Sequence, residues 1–194
     1  MDNLLQLPDP GFEPDDLTRQ VSELLVATAD GASELIDAAV PEVLKLLRES
    51  MDMDVAFVSE FVEGQRLFRH VDTAPENAVI AVGGADPLEH SWCQRVVDGR
   101  LPEYIAAAAT HPAAAALEKV LPFRIGTHFS VPVVLKSGEI YGTLCCFSFF
   151  PQETPNPIEL KRLKYTAQLA ALRIDHRRAA LEKQRARRPD ATLA

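Results

Sequence analysis

Ser130-Val131-Pro132-Val133-Val134-Leu135-Lys136-Ser137-Gly138-Glu139-Ile140-Tyr141-Gly142-Thr143-Leu144-Cys145-Cys146-Phe147-Ser148 is the stretch that decides the fold. Two β-branched and aromatic runs flank a turn, so residues 127–135 fit one strand, Lys136-Ser137-Gly138-Glu139 the turn, and residues 140–149 the returning strand. Pro132 lacks the N–H that a central ladder needs, which predicts an edge position or a bulge at that point. Adjacent side chains on a strand point to opposite faces, so Cys145 and Cys146 do not serve one metal together.

Upstream, Val55-Ala56-Phe57-Val58-Ser59-Glu60-Phe61-Val62 is a second extended run, with Phe57, Ser59 and Phe61 on one face. Glu63-Gly64-Gln65 predicts a short hairpin loop, residues 66–73 its partner strand, and residues 78–82 a third strand closed by Gly83-Gly84. Residues 88–98 fit a short helix ended by Gly99 as its C′ residue. Residues 104–109 fit a short strand at their start, and Pro112 opens an alanine-rich helix over residues 113–120.

Both ends of the chain read as helical. Asp15 and Asp16 stand where an N-cap is wanted, before Leu17, Val21, Leu24 and Thr28 at 4-3-4 spacing, with Leu25 widening the stripe. A second helix starts near Ser33 and carries Leu35, Ile36, Ala39, Val40, Val43, Leu44 and Leu47, with Pro41 predicting a kink or a fresh start. Prolines 151, 155 and 157 end the strands, and a long helix follows over residues 158–187. Its seam of Leu163, Ala167, Ala170, Ile174 and Leu181 is interrupted at Arg177. The element order gives an α+β domain, an antiparallel sheet with the terminal helices packed on one face. Residues 1–15 read as a flexible leader, 16–176 as the domain, and 177–194 as a basic helix end and disordered tail.

The 194 residues are 47% apolar and 25% charged with a mean hydropathy of -0.04, values of one soluble globular domain with no spanning helix. The acidic start, without a long apolar run behind it, gives no secretory signal, and three cysteines (Cys93, Cys145, Cys146) fit a reducing compartment, so a cytoplasmic location is expected. Neither a CxxC pair nor a metal-like histidine spacing is present. The net charge is -8, but residues 161–188 hold ten Lys/Arg against only Asp175 and Glu182. The acidic remainder disfavours a nucleic-acid groove, and the basic end fits a solvated helix face or a contact with the acidic body. No Ser/His/Asp arrangement, phosphate-cradling glycine loop or close acid pair points to an enzyme.

Three segments together resemble the GAF domain family over roughly residues 20–175. They are residues 55–61, the run Ser91-Trp92-Cys93-Gln94-Arg95-Val96-Val97-Asp98-Gly99-Arg100-Leu101-Pro102, and the VP-x(5)-G-x(3)-G-x-L pattern within residues 130–148. The S-x-C-x-R-V-V-x-G-x-L-P variant is similar to GAF modules found beside bacterial cyclic-di-GMP phosphodiesterases and kinases. The resemblance implies a five- or six-stranded antiparallel sheet, a helical homodimer interface, and a small molecule bound on the opposite face under short helices and loops. It therefore implies a non-enzymatic sensor in bacterial signal transduction, either freestanding or acting through a protein partner.

On that topology the expected ligand-facing residues are Phe57, Ser59 and Phe61, Trp92 and Cys93, Tyr104, His128 and Ser130, and Thr143, Cys145 and Phe147. A polar and aromatic lining orients a small molecule, although a filled core with satisfied hydroxyls reads the same way. His128 reads first as a hydrogen-bonded strand histidine; it could also titrate near neutral pH, and haem would require it as a single axial ligand in a large apolar cavity. Cys93 lies near the attachment cysteine of some bilin-binding relatives, which follow it with His. Gln94 stands there instead, so no covalent bilin or other cofactor is expected. The cyclic-nucleotide N-K-x(n)-F-x(3)-D-E pattern is absent. Two alternatives remain within the fold: a thiol enzyme resembling the free methionine-(R)-sulfoxide reductases, and a dimerisation scaffold with no ligand.

Overall fold

The structure is a computed structural model describing residues 15–27, 33–118, 121–152 and 157–187. Most of the expected leader, the end of the tail and the side chains of Leu35 and Ile36 lie outside what is described. Six strands form one antiparallel sheet in the order β3-β2-β1-β6-β5-β4. They are β1 (Val55–Val62), β2 (Gln65–Thr73), β3 (Ala85–Pro87), β4 (Tyr104–Ile105), β5 (Thr127–Val134) and β6 (Ile140–Ser148). The helices are α1 (Asp16–Ala27), α2 (Ser33–Ser50), α3 (Trp92–Val97), α4 (Pro112–Glu118) and α5 (Pro157–Arg187).

Local chemistry explains the boundaries. Asp15 caps α1 by accepting from the Thr18 amide at 2.9 Å, and its other oxygen accepts from Arg162 Nε at 2.7 Å, fastening α1 to α5. α2 continues through Pro41 without a fresh start. The β1–β2 hairpin is tighter than expected: Val62 pairs with Gln65, and Glu63 (φ 49) and Gly64 (φ 75) both adopt the left-handed conformation of a two-residue turn. Pro132 is tolerated because β4 is so short. Ser130 N–H bonds Glu103 O at 2.8 Å, so the ring nitrogen two residues later faces the open edge beyond β4.

Two expected elements are corrected. Residues 78–82 are not a strand; β3 begins after the two glycines. Gly83, at φ 82, turns the chain, its amide donates to Phe68 O and Gly84 O accepts from the Phe68 amide, both at 2.9 Å. The segment that follows is thereby laid on β2, with Asp86 opposite Arg66. The helix expected over residues 88–98 is divided. A 3-10 turn, Leu88–His90, precedes α3, because Ser91 takes an extended conformation and caps α3 by accepting from Gln94 N–H at 3.1 Å.

The sheet separates two cores. On one face α1, α2 and α5 cover Ala56, Val58, Phe129, Val131, Val133, Leu144 and Cys146 with Val43, Leu44, Leu47, Leu163, Ala167 and Ala171. Of the expected α5 seam, Leu163, Ala167 and Ile174 pack in this layer, Ala171 rather than Ala170 joins them, and Leu181 is exposed. On the other face α3, α4 and the short turns form a lid over Val55, Phe57, Phe68, Cys145 and Phe147. Gly142 joins β6 closely to β1: a Cβ there would lie 2.0 Å from Ser59 O.

Candidate functional site

The lid face places ten of the eleven expected residues on one side. Period-two alternation directs Phe57, Ser59 and Phe61 from β1, His128 and Ser130 from β5, and Thr143, Cys145 and Phe147 from β6 toward the lid, where α3 contributes Trp92 and Cys93. Tyr104 is the exception. It packs with the helix-face core, its ring 4.4 Å from Phe129, and Ile105 is the β4 side chain that enters the lid core. In a two-residue strand the face is fixed by register alone, and Tyr104 opposite Phe129 must share that residue's face.

At the centre lies a buried polar cluster with an aromatic surround. The Ser59 and Thr143 hydroxyls are hydrogen-bonded at 2.9 Å. Cys145 Sγ lies 3.0 Å from Ser130 Oγ, 3.3 Å from Thr143 Oγ1 and 3.4 Å from Cys93 Sγ. Around it, Phe57 meets Phe68 edge to face at 5.2 Å, and Phe123 stacks on Phe147 at 5.6 Å.

Two residues not anticipated from sequence complete the cluster. Arg66 Nη1 donates to Cys93 Sγ at 3.1 Å and Nε to Asp86 Oδ1 at 2.9 Å, while Nη2 bonds Asp86 Oδ2. The guanidinium lies 4.9 Å from the Phe68 ring centre and 5.7 Å from that of Phe57, so aromatic faces and a bidentate carboxylate offset its burial. The two thiols differ accordingly. Burial pushes the Cys93 thiol up, but a hydrogen bond from Cys145 and the Arg66 charge outweigh it and bring it down to about 5. Burial and the Cys93 sulfur raise Cys145 well above the ordinary thiol value. These sulfurs can share a proton asymmetrically.

His128 and Trp92 form the other part of the site. Their rings meet edge to face at 5.1 Å, both residues are about 2% exposed, and neither Trp92 Nε1 nor His128 Nδ1 has a hydrogen-bond partner among the described residues. Burial first, and then the Arg66 charge, hold His128 down to about 3, so the imidazole is neutral across the physiological range. Of the two readings of this residue, a hydrogen-bonded strand histidine and a group titrating near neutral pH, the depressed ionisation speaks against the second, while Nδ1 finds no protein partner among the described residues. Cys93 is fully buried against Arg66 and Cys145, and His128 is packed on the Trp92 indole. No group of three or more His, Cys, Asp or Glu suited to a metal occurs among the described residues.

The family model for the GAF domain matches residues 36–174. The chain belongs to the GAF domain family. Solved structures agree on the fold. The GAF domain of an Acinetobacter phosphoenolpyruvate-protein phosphotransferase aligns with a TM-score of 0.66 at 18% identity, covering 84% of this chain and 93% of that one. The phycoerythrobilin-bound GAF domain of a cyanobacterial phytochrome gives 0.67 at 13%, covering 84% and 97%. A free methionine-R-sulfoxide reductase from Neisseria meningitidis, in complex with its substrate, gives 0.61 at 15%, covering 90% and 99%. No curated protein matches the sequence. At these identities the GAF architecture is shared, while the Arg66–Asp86 pair and the facing thiols are read from this chain alone.

Proposed function

We propose that this GAF domain is a cytoplasmic, non-enzymatic sensor that takes a small, uncharged polar molecule on its lid face beside Trp92 and His128. One observation carries the reading: an indole N–H and an imidazole nitrogen are buried together with no protein partner among the described residues. An unmet buried polar group costs about 1–3 kcal/mol, and a ligand offering a complement to each would recover it. An uncharged ligand is favoured because Arg66, the cation of this cluster, is already paired with Asp86 and the imidazole is neutral.

The signal would leave through the helix layer on the reverse of the same strands. α5 is 31 residues long, about 46 Å, and its residues from 179 onward are exposed beyond the sheet. Leu172 and Leu181, 53% and 41% exposed on α5, suit contact with a second copy or a signalling partner. Ligand contacts would bias two packings of this layer, with the basic helix end passing the bias on.

Trp92 is the sole tryptophan, so its emission reports on the proposed site directly. Native mass spectrometry of freshly purified protein should reveal a bound small molecule, and adding it back to stripped protein should shift Trp92 emission and raise the melting temperature. A metabolite library that changes neither would favour a scaffold instead. A second reading, thiol catalysis, is favoured by the Cys93–Cys145 pair and weakened by the burial of both sulfurs. Turnover of free methionine sulfoxide with a thiol reductant, lost in Cys93→Ser, would establish it.

A further inference from the structure

The thiol geometry supports an inference independent of the ligand reading. Cys93 and Cys145, 52 residues apart in sequence, have sulfurs 3.4 Å apart, about 1.4 Å more than a disulfide bond of about 2.0 Å. Their surroundings are unequal. A fixed guanidinium lies 3.1 Å from Cys93 Sγ, whereas Cys145 sits between the Ser130 and Thr143 hydroxyls. Cys145 belongs to the central strand β6, held on both edges by β1 and β5. Cys93 is on the six-residue helix α3, so closure needs a shift of one short lid element. Arg66 also joins Cys93 to Asp86, whose side chain is 37% exposed, so the fully buried pair lies one side chain below the surface.

We propose that Cys93 and Cys145 are a modification site, an intramolecular disulfide formed reversibly by two-electron oxidation with a small hydroperoxide. Cys93 thiolate attacks the terminal peroxide oxygen, the O–O bond breaks, and the alkoxide or hydroxide released takes up a proton to leave as alcohol or water. Cys93 is then a sulfenic acid. The Cys145 sulfur attacks the Cys93 sulfur, an S–S bond forms and the S–O bond breaks. The departing hydroxide combines with the Cys145 proton as water. The two thiols lose two electrons and two hydrogens together, and a dithiol reductant restores them by exchange. Arg66 stabilises the attacking thiolate across the 3.1 Å contact, in keeping with the favoured ionisation of Cys93. Bond formation draws the Cys93 sulfur, by then uncharged, away from Arg66 and shifts the helix that carries Trp92.

The test uses the full, reduced chain treated stepwise with hydrogen peroxide at neutral pH. The expected product has lost two hydrogens by intact mass, retains one alkylatable thiol at Cys146, yields a peptide linking Cys93 to Cys145, and reverts with dithiothreitol. Cys146→Ser should behave identically, and Cys145→Ser should leave a Cys93 sulfenic acid that dimedone traps. Arg66→Gln should slow the reaction at least about tenfold and Arg66→Lys largely restore it. Linkage through Cys146, linkage between chains, or wild-type Cys93 that stays unmodified or takes up oxygen without forming the bond would each overturn the assignment. The wild-type peptide map decides even where a variant fails to fold, and sulfoxide turnover, or its absence, leaves this result unchanged.

Discussion

Cys145 and Cys146 are consecutive residues on one strand, and they inhabit different chemistries. Cys146 faces the helix layer among Val58, Phe129 and Leu163, where burial pushes its thiol up to about 12. Cys145 faces the lid, among two hydroxyls and a second thiol that touches a guanidinium. The difference follows from the pleat, which sends neighbours to opposite sides. The sheet residues of one face are almost all apolar and meet the helix layer, while the other face of the same strands spends part of its burial on a cluster of polar groups. Stability and chemistry are thus divided between the two sides of a single sheet.

The largest test of this division lies in the helix-face core. Leu47→Ala should lower unfolding free energy by about 3 kcal/mol in urea titration, with Cys93 reactivity unchanged in the folded protein. An equal loss of lid chemistry would show that the two faces are not separable.

Acid should act through the lid. His128 is held down to about 3 when folded against the ordinary histidine value of 6.5, so the unfolded chain binds the extra proton between those values. Stability falls as pH drops through 6.5, by about 2 kcal/mol from this group between pH 7 and pH 5. Denaturant melts across that window should show the slope, flattened in His128→Gln.

The neighbouring cysteines give a smaller and sharper contrast. Cys146→Ser places a hydroxyl in apolar packing and should cost about 2 kcal/mol, whereas Cys145→Ser, beside Ser130 and Thr143, should cost less than about 1 kcal/mol. Comparable costs would contradict the polarity assigned to the two faces. The smallest expected effect is that of removing residues 179–194. Stability should change by less than about 0.5 kcal/mol, since α5 residues 179–187 are exposed, while sedimentation should show weakened self-association if this end carries the dimer.

Much of this was legible in the sequence because β1, β5 and β6 are long enough for period-two alternation to assign their faces. The same rule separated Cys145 from Cys146 and gathered Phe57, Ser59, His128, Ser130 and Thr143 on one side. It failed where regularity fails. β2 carries an extra residue, Arg69, opposite the Val58–Ser59 step, so its alternation changes phase and Arg66 does not read as a lid residue. Asp86 was hidden because the apolar residues 78–82 look more like a strand than Ala85–Pro87 does. The glycine turn, which selects the pairing segment, is a backbone effect. Tyr104 sits on a strand too short for periodicity to assign. The Cys93–Cys145 approach depends on how α3 docks on the sheet, information that no local pattern carries.

The most direct measurement is the ionisation of the three thiols, followed by ultraviolet thiolate absorbance in the wild type and in the single Cys→Ser variants. One thiol should titrate near pH 5, absent in Cys93→Ser and moved back toward the ordinary thiol range in Arg66→Gln, with Cys146 still protonated at pH 10. Three thiols ionising together near pH 9 would contradict it, because the sheet would then not separate a chemical face from a structural one.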